Sequence, residues 1–391
     1  MKILVLTDDF PPHVLGGAGV MAHRLSKALV AQGHVVRVLS TVSDKKWAGT
    51  HMIDGMQVDF FHSHYHPRWR SYVSLFNPFL FFKVRRAIKE YQPDIVHAHN
   101  IHYNISYASL LISKNTFLTC HDIMPFYPGS FTEFIKTGTY TVDEKMLKEK
   151  FGKRYNPFRN KYIRTVLNKI KVIAVSNELK TALEANGIKN VSVVHNGIDV
   201  SEWSVSNTYG TGRILFQGRL SGVKGADVLL QALQKVPQAT LVVAGIKDSY
   251  AEKMLEKSRS LGIENRIVFT GWLSEEEMKQ EYKKADLIVI PSLCFDSFPN
   301  GNLEGFASGK PVVSTIYGGS KEVVVDGVNG YIVTPTDIEV LAQKIILLLD
   351  PIRAKAFGFA GRDRVCKEFT ALKMATGYLL QFGKNEGSGS L

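Results

Sequence analysis

Apolar and polar positions along this chain alternate in blocks. MKILVLT (1–7) is an apolar run of strand length. AGVMAHRLSKALVAQGH (18–34) repeats its apolar residues at helical spacing and stops at Gly33, and VVRVLST (35–41) is apolar again. A continuous apolar run bounded by turns predicts a strand buried on both faces, and a period of about 3.6 predicts an amphipathic helix. The same succession recurs in DIVHAHN, ISYASLLISK, TFLTCHD and in KVIAVSN, ELKTALEANG, VSVVHNG. A second series opens at RILFQGR (213–219). It runs through ADVLLQALQKV, TLVVAG, EKMLEKSRSLG, RIVFTG, EEEMKQEYKKA, DLIVIPS, a helix over 300–308 and PVVST. Strands alternating with helices build parallel sheets, so the pattern predicts an α/β protein of two doubly wound units in tandem. IDVSEWSVSNTYGTG (198–212) is polar and has neither period, which sets domains at 1–200 and 201–370.

A chain of 391 residues is long enough for two such cores. No apolar run reaches the roughly 18 residues that span a bilayer. The nearest, YVSLFNPFLFF (72–82), is broken by Asn77 and Pro78. MKILVLTDDFPP reads as a first strand and loop rather than a signal peptide. Three cysteines without a C-x-x-C pattern point to a reducing cytosol, not to a disulfide framework. The Gly/Ser-rich tail GKNEGSGSL is left out of the fold.

Charge changes the picture in the first half. Residues 1–200 carry 26 basic and 15 acidic side chains, a net +11, whereas 201–391 carry 22 and 21, a net +1. The excess peaks in 145–171, with ten basic residues and one acidic. Two readings stand: a solvated helical face, or a surface that meets an anionic partner. Phe151, Tyr155, Phe158 and Tyr162 interleave with the cations, which suits a helix lying in a lipid headgroup layer. On that reading Lys148, Lys150, Lys153 and Arg154 face an anionic acceptor or membrane. Zinc-finger, RNP and helix-turn-helix signatures are absent, so a nucleic-acid partner is not expected.

Ligands of open parallel sheets bind beyond the carboxyl ends of the strands, at helix N-termini. Gly16, Gly17 and Gly19 lie between the first strand and first helix and suit a phosphate, or only a flexible turn. Arg219 and Lys224 follow the first strand of the second unit in a Gly-rich loop, as a diphosphate clamp would. Asp296 and Glu304 bracket the start of the predicted 300–308 helix, with the amides of Asn300, Gly301, Asn302 and Leu303 between them. His121 and Asp122 end a strand; His121 either meets a ligand or bonds within its loop. FHSHYH (61–66) and HAHNIH (97–102) tempt a metal reading, but no acidic or cysteine partner completes either set, and no metal is expected.

These residues resemble the retaining glycosyltransferases of family 4. The resemblance runs through GGAGVMAHRLSKALVAQGHVVRVLST, DIVHAHN, AVSNELKTALEANG, VVHNGID, QGRLSGVKGADVLLQAL, SFPNGNLEGFASGKPVVST and GGSKEVVVDGVNGYIV. It implies the GT-B fold, two Rossmann-like domains facing across a cleft, with the last helix (371–384) crossing back onto the first domain. It further implies a nucleotide-sugar donor, with UDP or GDP, and no metal cofactor. Glu304 would bind the ribose hydroxyls, Arg219 and Lys224 would neutralise the diphosphate, and Asp296 with the 300–303 amides would meet sugar and phosphate. Gly17 would approach the phosphate and His121 the sugar. The family motif has glutamate at both ends of its spacer; here the first is Asp296, one methylene shorter. The expected acceptor is a lipid-linked or cell-envelope glycan precursor, handled in the cytoplasm or on the inner membrane face. A sugar-nucleotide epimerase of the same fold, a non-catalytic sugar-nucleotide-binding protein and a nucleic-acid binder using 145–171 are the alternatives.

Overall fold

The computed structural model describes residues 1–14, 16–63, 68–218, 220–245 and 249–383. Arg219, His64 and His66 lie outside them. The described residues form two compact units. The first holds Met1–Gly129, Gly138–Asn196 and the last helix, Ala371–Gly383; the second holds Ser130–Thr137 and Gly197–Thr370.

In the first unit the strands are β1 (Lys2–Leu6), β2 (Val35–Val42), β3 (Gly49–Ile53), β4 (Met56–His62), β5 (Ile95–Ala98), β6 (Thr116–Cys120), β7 (Lys171–Ala174) and β8 (Val191–Val193). Among the described residues they pair in the order β3-β4-β2-β1-β5-β6-β7-β8, all parallel except β3, which runs antiparallel to β4 at the edge. Met21 and Leu25 of the helix Gly17–Ala31 share one core with Met374, Tyr378 and Phe382 of the last helix and with Val36 and Val38 of β2.

In the second unit β9 (Arg213–Gln217), β10 (Thr240–Ala244), β11 (Ile267–Gly271), β12 (Leu287–Ile290), β13 (Val312–Thr315) and β14 (Gly330–Val333) pair in the order β11-β10-β9-β12-β13-β14, all parallel. That is the strand order of a dinucleotide-binding sheet, and its direction of winding reverses between β9 and β12. Loops leaving two adjacent strands at such a point diverge, and the gap between them is where this architecture places ligands.

The predicted elements appear with one exception and one interruption. ISYASLLISK forms a short 3₁₀ turn, Tyr107–Leu111, instead of an α-helix. Its amides are drawn elsewhere: Tyr107 N donates to Ser74 O and Ala108 N to Leu75 O. The basic 145–171 stretch is not one helix. It divides into Glu144–Phe151, the 3₁₀ turn Gly152–Arg154 and Arg159–Leu167, and Arg159 is buried rather than on the face.

The helix Pro351–Glu368 fixes the end of the functionally important helix Asn300–Ala307. It comes so close that a Cβ at Gly358 would lie 1.9 Å from Gly309 O, and one at Gly361 would lie 2.2 Å from Phe306 Cδ1. Gly358→Ala should therefore destabilise the protein by about 1–3 kcal/mol, the usual penalty of overpacking. That penalty outweighs the ~1 kcal/mol that alanine gains over glycine in a helix. Urea unfolding checks this; equal or higher stability would contradict the close packing.

Candidate functional site

The loops after β9 and β12 meet at the switch point. Leu293 N donates to Val223 O at 2.8 Å, which ties them together. Gly225 permits the approach: its φ is +80°, and a Cβ there would sit 1.8 Å from Pro291 O. Lys224 ends the short 3₁₀ turn Gly222–Lys224. Its ammonium donates to Asp296 Oδ2 at 2.7 Å, and Ser292 Oγ donates to the same oxygen at 2.8 Å. Both ion-pair partners are largely buried, at 29% and 14% side-chain exposure. Asp296 is held on the backbone side as well. Its N donates to Tyr317 O and its carbonyl accepts from Gly319 N, while a Cβ at Gly318 would meet Asp296 O at 2.1 Å.

Four residues on, the helix Asn300–Ala307 begins at Pro299 with no side chain capping its N-terminus. Its N-terminal end, four residues after Asp296, therefore carries the partial positive charge of the helix dipole. Gly301 and Gly305 let this helix lie flat on β12 and β13. Cβ atoms there would come within 2.9 Å of Ile290 Cδ1 and Ile288 Cγ1. Glu304 sits one turn in, nearly buried, and accepts from the Tyr282 hydroxyl at 3.0 Å; that hydroxyl also touches the Gln217 side-chain amide at the end of β9. Ser221 Oγ, Ser297 Oγ and both polar atoms of Asn302 are buried without a hydrogen bond among the described residues. Such atoms cost about 1–3 kcal/mol each, and in native proteins they cluster where a ligand or water is to be bound.

The structure thus brings Lys224, Asp296, the 300–303 amides and Glu304 onto one sheet edge. It adds three residues that sequence reading missed. Ser292 and Gln217 stand at strand ends, which is a usable signal; Tyr282 lies inside the helix Glu275–Lys284 and carries none. Phe134 and Phe131, from the 130–137 segment, pack here too: Phe295 N donates to Phe131 O, and Phe134 lies edge-on to Phe295 and Tyr317.

In the first unit the equivalent reversal falls between β1 and β5. Asp8, after β1, accepts from the amides of Tyr103, Asn104 and Ile105; Asp9 accepts from Asn100 Nδ2 at 3.0 Å. Gly17 is the first residue of its helix, and Gly19 is packed so closely that a Cβ would fall 2.6 Å from Asp9 Oδ2. The carboxylate of Asp9 therefore already lies at this helix start. His121, half-buried after β6, has its Nε2 3.0 Å from Nδ1 of buried His99, and the two rings stack. His97 contacts Thr119 Oγ1, which donates to the Tyr378 hydroxyl of the last helix, and His102 contacts the Tyr107 hydroxyl. Each HAHNIH histidine is thus committed to a protein partner, and among the described residues no three His, Cys, Asp or Glu side chains converge as metal ligands. Lys148, Lys150, Lys153 and Arg154 are exposed; the Lys150 ammonium lies 3.9 Å over the Tyr127 ring and donates to its hydroxyl.

The described residues contain no helix long and apolar enough to cross a membrane. Residues 15–202 match the profile of "Glycosyltransferase Family 4" and residues 205–364 that of "Glycosyl transferases group 1". The chain is 26% identical to a glycogen synthase of Mycobacterium tuberculosis, over 96% of this chain and 93% of that one. Its fold is similar to that of sucrose-phosphate synthase from Thermosynechococcus elongatus, at TM-score 0.79, 20% identity and full coverage of both chains. It is also similar to HepE of Anabaena, solved with UDP-glucose, at TM-score 0.72 and 20% identity over 99% and 100% of the two chains.

The buried histidines set a pH dependence. Burial holds His97 down at about 3, His121 down at about 4, and His99 and His102 well below the usual 6.5. A histidine depressed on folding gives stability that is complete above about pH 6.5 and lost as pH falls towards its folded value, by at most about 1.4 kcal/mol per pH unit per group. Asp8 has the opposite sign: burial raises it to about 7, so its contribution is full below about pH 4 and lost as pH rises through 7. Four histidines outweigh one aspartate, so the melting temperature should fall from pH 6.5 to 4.5, less steeply for His99→Gln than for the wild type. A melting temperature that held steady over that range would contradict the neutral histidine cluster.

Proposed function

We propose that this chain, which belongs to the family 4 and group 1 glycosyltransferases of GT-B fold, moves a hexose from a nucleoside-diphosphate sugar to an anionic glycan precursor with retention at the anomeric carbon. The observation that carries the donor side is the Lys224 ammonium, 2.7 Å from Asp296, beside an uncapped helix N-terminus at the switch point of a dinucleotide-type sheet. Cleavage of the sugar–phosphate bond develops negative charge on the leaving diphosphate. A fixed cation and a helix N-terminus at that point stabilise the transition state more than the ground state. Lys224 and Arg219 supply the positive charge, and the 300–303 amides supply donors. Glu304, oriented by the Tyr282 hydroxyl, accepts from the ribose hydroxyls. Asp296 takes a sugar hydroxyl once Lys224 turns to phosphate. For retention, the acceptor attacks on the face from which the diphosphate leaves. Gly17 and His121 keep the roles the resemblance implies, and His121 is neutral at physiological pH. The clamp does a metal's task, so transfer needs no divalent cation.

The check is transfer from a panel of UDP- and GDP-sugars in excess EDTA. The wild type should turn over one of them unimpaired. Lys224→Ala, folded to the same melting temperature, should lose about 2–4 kcal/mol of transition-state stabilisation in kcat/KM. Activity that vanishes with chelator and returns with magnesium, or a fully active Lys224→Ala, would contradict the clamp.

The acceptor side is read from the net +11 of residues 1–200 and from exposed aromatics in the first unit. Trp69, Tyr72, Phe76, Phe79, Phe82 and Phe158 are all about half exposed or more. Lys83 sits 4.8 Å from the Phe79 ring, and Arg85 and Arg86 follow on the same helix, Pro78–Tyr91. Rings flanked by cations are what an anionic headgroup layer binds, at about 1 kcal/mol per well-placed cation. The acceptor is accordingly a lipid-linked or cell-envelope glycan precursor met at the inner membrane face. The protein should sediment with anionic vesicles at low salt and not with neutral ones, and Phe79→Ser/Phe82→Ser should weaken this. A wild type that stays in the supernatant would leave a soluble acceptor as the better reading.

A further inference from the structure

Donor chemistry leaves one feature of the first unit unused. Arg68, Arg70, Arg154 and Arg159 line a single cavity of about 150 Å³, with Phe151 and Tyr155 in its wall. Arg159 lies at its base and is only 5% exposed. Its guanidinium donates to Pro125 O at 2.7 Å, to Met124 O at 3.3 Å and to Asn160 Oδ1 at 3.2 Å. All three are neutral oxygens: they hold the fork in place and leave its charge uncompensated. The Arg70 guanidinium lies over the Tyr103 ring at 4.4 Å. Arg68 and Arg154 are at the exposed rim. Two acids lie nearby: Asp122 accepts from the amide of Met124 and stands 3.7 Å from His102 Nε2, and Glu144 bonds to the Tyr155 hydroxyl.

A buried guanidinium without a carboxylate is expensive unless an anion joins it. Burial accordingly lowers the proton affinity of Arg159 to about 10. Four guanidinium groups line one small cavity, and the buried one, Arg159, bonds only to neutral oxygens. They match a dianion with three terminal oxygens, which forked donors grip in pairs. A cavity of about 150 Å³ has room for a phosphate and part of one ring. Aromatic walls suit the apolar face of a sugar or polyol.

We propose that this pocket binds the phosphate of a phosphorylated acceptor, with Arg159 and Arg70 anchoring the phosphate oxygens and Arg68 and Arg154 completing the site at its rim. This rests on the reading that the first unit takes the acceptor. The pocket lies on the chain segments that flank the 124–126 loop, a few residues beyond His121, so a phosphate held here would fix one end of the acceptor.

The test measures melting temperature and calorimetric affinity of the full chain in a non-phosphate buffer at constant ionic strength. The probes are inorganic phosphate, glucose 6-phosphate and glucose. The wild type and Lys224→Ala should both be stabilised by glucose 6-phosphate and not by glucose. Arg70→Gln/Arg154→Gln should bind it on the order of tenfold more weakly or worse, the loss of charged hydrogen bonds. That variant spares Arg159, whose removal endangers folding, and it should keep wild-type stabilisation by the nucleotide sugar. A failed donor reading would instead show as no response of the wild type to any nucleotide sugar. No response of the wild type to either phosphate would overturn the pocket. So would a response lost in Lys224→Ala and intact in Arg70→Gln/Arg154→Gln. Phosphatidylglycerol vesicles separate the sources: competition with glucose 6-phosphate assigns the pocket to a lipid headgroup, and none assigns it to a soluble phosphorylated acceptor.

Discussion

The second unit is organised around an ion pair that spans two loops. Lys224 and Asp296 are 72 residues apart, yet their side chains meet at 2.7 Å because β9 and β12 are neighbours in the sheet. An ion pair this sheltered is not retained for stability, since desolvating both charges cancels much of the attraction. Its value is positional. The lysine is held on Asp296, four residues before the Asn300–Ala307 helix, where a second anion would meet a cation and a helix dipole together. Much else follows from that requirement. Gly225 and Gly318 bring backbone to within contact of Pro291 and Asp296, Gly301 and Gly305 seat the helix on the sheet, and Gly358 closes the helix's far end.

The two units solve opposite electrostatic problems. Residues 201–391 are nearly neutral at net +1, their cations and acids interspersed in ion pairs such as Arg213–Glu281 and Lys224–Asp296. Residues 1–200 carry a net +11, and the first unit buries Asp8, His97, His99 and His102. Asp8 organises three backbone amides, while His97, His99 and His102 stay buried and neutral by sharing protons with Thr119, His121 and Tyr107. A network of that kind, through the His99 ring stacked on it, holds His121 in one orientation at the end of β6.

Much of this was legible in the sequence, for a physical reason. Strands, helices and the Gly/Pro loops between them are set by local period and turn chemistry, and those calculations need no partner. Lys224, Asp296 and Glu304 stood out because strand ends are where parallel sheets hold ligands. What stayed hidden depends on strand order and side-chain reach. Nothing local says that Lys224 meets Asp296 or that Tyr282, inside a helix, reaches Glu304. The 107–111 turn failed as a helix because its amides bond to residues 74 and 75, far away in sequence. Arg159 counted as one more surface cation until tertiary packing buried it beneath the rim that Arg68 and Arg154 form. The alternating histidines suggested a metal by spacing alone, and only their hydrogen-bond partners show what they hold instead.

Asp296 is the point at which this chain departs from the glutamate of the resemblance, and the structure gives the departure a shape. The shorter side chain sits within reach of both Lys224 and Ser292, so the acid serves as the lysine's resting partner. The central claim is that a nucleoside diphosphate takes that lysine over. A crystal structure of the chain with the nucleoside diphosphate of its best donor tests it most directly. The account predicts Lys224 Nζ in hydrogen-bond contact with a diphosphate oxygen and Glu304 on the ribose. A diphosphate bound elsewhere, with Lys224 still closed on Asp296, would contradict it.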